Sequence, residues 1–130
     1  MHRLLPIVAA LLLASPAAAL APDWRQAIAH DVLLAPWRYE PRTIRLEAGQ
    51  PIRLTLVNNS EVAQHFAARD FFAAARIREE DEAIVRNGNV RLGPGERRTI
   101  ALVPAPGRYR VRSANLFHRL LGMSGLIVVE

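Results

Sequence analysis

The 130-residue chain contains no cysteine. That one absence excludes disulfides, thiolate metal ligands, iron–sulfur clusters and thiol nucleophiles. Lysine is missing as well, so all 17 basic residues are arginine. Twelve acidic residues offset them to a formal net charge of +5, a basic surface rather than the polybasic tract of a nucleic-acid binder. No Gly-rich phosphate loop, nucleophile elbow or paired acids at catalytic spacing occur, so hydrolase and kinase chemistry have no residues to carry them. An enzyme is not expected, and an accessory role beside a metal oxidase is left open. No apolar run reaches the about 20 residues of a membrane helix. Hydrophobic residues make up 51% and charged residues 22%, which is the composition of a globular domain.

What is present begins with a leader. Met1-His2-Arg3 is a short positive region, Leu4 to Leu13 an apolar run broken only by Pro6, and Ala14 to Ala19 a small-residue stretch. Ala17 and Ala19 stand where signal peptidase reads A-x-A, so residues 1–19 are expected to be a signal peptide. Residues 20–130 are then a single exported domain, expected in a bacterial periplasm. Without a lipobox cysteine a lipid anchor is excluded.

The rest reads as short strands with turn signals every eight to twelve residues, the pattern of an all-β antiparallel sandwich. Residues 20–31 read as a lead-in or helical turn. Val32 to Tyr39 reads as one edge strand kinked at Pro36. Thr43 to Leu46 leads into a turn at Gly49. Ile52, Leu54 and Leu56 then alternate with Arg53, Thr55 and Val57 before the turn formers Asn58-Asn59-Ser60. Arg69 to Arg78 is alanine-rich and predicts a short helix, with Phe72, Ala75 and Ile77 toward the core. Glu79 to Glu82 reads as a solvated acidic loop. Ala83 to Arg86 and Asn89 to Leu92 flank Asn87-Gly88 as a hairpin. Thr99 to Val103, Arg108 to Ser113 and Leu126 to Val129 complete about seven strands. In the second of these, Tyr109, Val111 and Ser113 share one face, and Arg108, Arg110 and Arg112 form a solvent-facing stripe suited to an acidic partner.

Three soft or borderline donors lie on loops beside strand ends: His65, His118 and Met123. Two imidazoles and a thioether suit a cation such as copper. Read from spacing alone, each histidine serves as well as an ordinary hydrogen-bonded residue, and Met123 as a core methionine. His30 reads as a silent surface histidine. The acids 79–82 lack a fixed cation geometry, and Asp70 is a candidate partner to orient His65.

Gly49, Asn58, His65, Pro106-Gly107-x-Tyr109, His118 and Gly122-Met123-x-Gly125 fall in the order of a known pattern. The chain resembles a cupredoxin over roughly Val32 to Glu130. It is most similar to small periplasmic cupredoxin-domain proteins related to the cupredoxin-like domain of EfeO-type iron-uptake proteins. His65-Phe66 and the Phe-Phe-Ala-Ala-Ala run from Phe71 carry that part of the likeness. The resemblance implies a Greek-key β-sandwich and a copper site at His65, His118 and Met123. It also implies a cysteine ligand where this chain has Ser113. A hydroxyl that stays protonated at neutral pH is a weak ligand, so the set favours Cu(I) or a colourless Cu(II) centre over a blue electron-transfer site. The alternative is a metal-free accessory domain, a monomer, that docks through Arg108, Arg110 and Arg112 onto an iron or copper transport or redox partner.

Overall fold

The fold is taken from a computed structural model that describes Arg3, residues 21–115, 118 and 119, and 122–130. Apart from Arg3, the expected leader lies outside the described residues. Among the described residues ten strands and a short helix follow in order: β1 (Ile28–Ala35), β2 (Arg38–Glu40), β3 (Thr43–Leu46), β4 (Ile52–Asn58), β5 (Gln64–Ala67), α1 (Arg69–Ala74), β6 (Arg76–Ile77), β7 (Asn89–Leu92), β8 (Arg97–Val103), β9 (Gly107–Arg112) and β10 (Ser124–Val129); His118 and Arg119, expected on a loop, are helical as well. The strands form two five-stranded sheets, ordered β2-β1-β4-β8-β6 and β3-β10-β9-β5-β7.

Period-two patterning creates the inner faces. Ile52, Leu54 and Leu56 of β4 are buried, as are Ile100 and Leu102 of β8. From the second sheet Phe66, Val90, Leu92, Val111 and Ile127 meet them. This is the expected β-sandwich. Most pairings are antiparallel, but β1 runs parallel to β4 and β3 parallel to β10. The chain changes sheet between β2 and β3 and again between β3 and β4, and such crossovers bring strands together in the same direction.

Several elements differ from the sequence reading. The stretch Val32 to Tyr39 is two strands, because Pro36-Trp37 closes a hairpin with Ala35 opposite Arg38. The edge is therefore β2, and β1 begins earlier, at Ile28. The lead-in does contain a helical turn, Trp24–Gln26, capped by Asp23. The helix expected over Arg69 to Arg78 stops at Ala74, and β6 adds Arg76 and Ile77 to the edge of β8. The Asn-Gly turn exists, but only Arg86 bridges to Asn89, so Ala83 to Arg86 is not a strand. Gly88 is needed there twice over: its φ is +74°, and a Cβ would lie 2.4 Å from the Arg69 Cα. The acidic run is not a free loop. It forms a 3-10 turn, Glu79–Ile84, in which Asp81 is buried. The Asp81 carboxylate accepts from the Ala101 backbone N–H at 2.9 Å and from the Arg78 guanidinium at 3.0 Å, satisfying a buried donor.

Candidate metal centre

The segment from β9 to β10 brings three of the singled-out residues together. Ser113 and Met123 are wholly buried and His118 is 5% exposed. Short-range hydrogen bonds shape the chain between them. The Ser113 hydroxyl accepts from the Asn115 N–H, and the Asn115 side-chain oxygen accepts from the His118 N–H. The Met123 N–H donates to the His118 carbonyl at 3.1 Å, just after Gly122 turns the chain with φ +84°. As a result His118 Nδ1 faces the Ser113 hydroxyl at 3.5 Å. Edge-on to the same imidazole lies Trp37, with ring centroids 5.0 Å apart.

His65 arrives differently. It sits within β5, opposite Arg91 of β7, and not on a loop as expected. Asn58 secures the approach: its side-chain amide donates to the carbonyls of Val62, Leu92 and Gly93 at 2.8 to 3.1 Å. The His65 carbonyl accepts from the hydroxyl of buried Tyr39 at 2.6 Å. Burial holds that phenol well above its ordinary range, so it stays a donor. Asn89, not Asp70, is the side-chain partner of His65, at 3.0 Å from Nδ1. Asp70 is exposed on α1. Nδ1 is thus engaged by Asn89.

Partial burial, the Arg91 guanidinium and the His118 ring all lower the pKa of His65, while the Asn89 bond works against them. The imidazole is thereby kept toward its neutral, ligating form.

The remaining candidates lie apart. His30 is half-buried on β1, opposite Leu54. Arg108, Arg110 and Arg112 are exposed along β9 and, among the described residues, make no ion pair. With Arg69, Arg119 and Asp70 they line an open groove of about 760 Å³ that reaches Ser113. Among the described residues no three histidine or carboxylate side chains converge. Sequence reasoning missed Trp37, Tyr39 and Asn89 as neighbours of the histidines, and no local pattern marks them.

No protein-family model matches the chain, and no curated protein proves similar to it. Solved structures are more informative. The chain is similar to dithionite-reduced auracyanin from the photosynthetic bacterium Roseiflexus castenholzii, with a TM-score of 0.60 and 20% identity over 80% of this chain and 98% of that one. Auracyanin B gives a TM-score of 0.57 and 23% identity, over 81% of this chain and 90% of that one. The multicopper oxidase McoA of Aquifex aeolicus gives 0.64 and 14%, over 85% of this chain but 31% of the oxidase. The fold is that of a cupredoxin.

Within the cupredoxin frame the donor set decides which metal chemistry fits. A site built on a short, covalent thiolate bond does not fit, since the chain has no cysteine. Two imidazoles and a buried thioether do fit Cu(I), or a colourless Cu(II) completed by water.

Proposed function

We propose that this chain is an exported, periplasmic cupredoxin-like protein that binds copper through His65, His118 and Met123 and serves in copper handling or metal transport. Residues 1–19 would be its signal peptide, and among the described residues no helix is long and apolar enough to cross a membrane. The observation that carries the reading is the convergence of His118 and Ser113 beside wholly buried Met123, and His118 is among the groups that act on the His65 ring. Copper, when bound, would supply a soft cation able to be passed on or to change oxidation state. The chain's own part is to keep His65 neutral, to place the thioether out of water and to hold both rings before metal arrives, which lowers the ordering cost. Ser113 stays a protonated hydroxyl and is a weak ligand or none. The affinity with EfeO-type cupredoxin-like domains belongs to this proposal and accords with a place in metal uptake.

A copper titration of the purified protein, with Cu(I) and Cu(II) separately and electron paramagnetic resonance on the Cu(II) form, tests it. Stoichiometric binding without a blue absorption is expected. No binding tighter than the micromolar range removes the copper reading. Ser113→Cys sharpens the test, because a thiolate at that position should produce an intense blue or green Cu(II) protein.

A second reading has its own observation, the exposed arginines of β9 beside the site, which among the described residues make no ion pair. In it the chain is a metal-free accessory domain whose Arg108, Arg110 and Arg112 dock onto an acidic face of an iron or copper transport or redox partner. Reversing Arg108 and Arg110 to Glu should abolish co-purification of a partner and leave the fold intact, and unchanged association removes this reading.

A further inference from the structure

Pro36 and Trp37 are the two central residues of the β1–β2 turn. Trp37 has φ +67°, in the left-handed region. A turn with proline first and a positive φ second is built for glycine or asparagine at that second place. A bulky aromatic there is strained, and such strain persists where something else over-determines it. Burial does not account for it, since Trp37 is 45% exposed. What the left-handed backbone achieves is to lay the indole edge-on against His118, with ring planes at 89°. Two residues later, Tyr39 donates its hydroxyl to the backbone carbonyl of His65. One short element therefore touches both histidines, from outside both of the segments that carry them.

We infer that the β1–β2 hairpin is the brace of the two-histidine site, with Trp37 a positioning residue for the His118 imidazole and Tyr39 one for the His65 backbone. The inference rests on the copper reading only in taking the two histidines as one site. His118 needs such a wall because it lies in a helical turn between β9 and β10, where no sheet ladder flanks its ring. The Ser113 hydroxyl, at 3.5 Å, is too distant to hold it firmly.

The full chain carrying Trp37→Gly, Trp37→Asn or Trp37→Phe tests the brace, read first by nuclear magnetic resonance without metal and then by titration with Cu(I) and Cu(II). Glycine and asparagine accept the turn, so both variants should melt no lower than wild type. Their His118 ring should nonetheless lose its contacts to Ser113, copper affinity should fall about tenfold, and the Cu(II) hyperfine splitting should change. Trp37→Phe should restore most of each property. Undiminished His118–Ser113 contacts in the metal-free glycine and asparagine variants overturn the brace, whether or not copper binds. Where the wild type binds copper, equal affinity in these variants overturns it too. Loss of the ring contacts in a protein whose wild type takes no copper removes the copper reading and supports the brace.

Discussion

The two histidines reach the same hairpin from two kinds of structure, and the contrast is informative. His65 is carried by a strand, locked between β7 and β9, with Asn58 fastening the preceding loop and Asn89 holding the ring. His118 is carried by a helical turn between β9 and β10, where among the described residues local hydrogen bonds and the Trp37 edge define it. A strand-borne donor is placed by backbone hydrogen bonds, which the sheet provides in any case. A donor borne by a helical turn outside the sheets depends on packing from elsewhere in the chain. The strand side should therefore be tolerant at the ring and sensitive at its anchor, and the turn side the reverse.

The largest expected effect is on the turn side. His118→Ala should remove tight copper binding altogether, measured by competition with a chromophoric chelator, and the same loss should follow when His65 is also replaced by Ala. Retained affinity in that double variant would dissolve the comparison, since neither histidine would then be a ligand. On the strand side, Asn58→Ala strands three backbone carbonyls and should cost about 2 kcal/mol in denaturant unfolding, well above the effect of replacing exposed Asn59. Met123→Leu conserves volume in a sealed position, so stability should change by less than about 1.5 kcal/mol. Its Cu(I) affinity should fall more than its Cu(II) affinity, because only the soft ion loses a preferred donor.

The smallest effect is a pH dependence. Folding lowers the pKa of His65, chiefly through burial and then through Arg91. An unfolded histidine titrates near about 6.5. Between that value and the lower folded one, the unfolded chain binds more protons, so stability should decline as pH falls through this window and level off below it. His65→Gln should flatten that decline. An equally steep decline in the variant would place the titration elsewhere.

Much of the sandwich was legible because period-two patterning is a local property. Ile52, Leu54 and Leu56 show it so plainly that one face of β4 had to be buried, and Asn87-Gly88 had to turn. Strand boundaries were less legible where one residue type serves two structures. Pro36 reads as a kink in a strand, yet in the fold it opens a tight turn, because Tyr39 has a core to enter on the far side. The acids 79–82 read as solvated because carboxylates usually are. Asp81 is buried because β8 leaves the Ala101 N–H without a strand partner at the point where the 3-10 turn crosses it.

By itself, the sequence determined the alternation that makes two sheets, the absence of any thiolate and the supply of donors in His65, His118 and Met123. It also determined the arginine stripe, since alternation along β9 sends Arg108, Arg110 and Arg112 to one face wherever that strand lies. Only the tertiary structure decided that Asn89 rather than Asp70 meets His65, that Trp37 and Tyr39 touch the two histidines, and that His118 faces Ser113. Those contacts depend on strand register and on crossovers between sheets, where a slip of one residue turns a side chain to the opposite face.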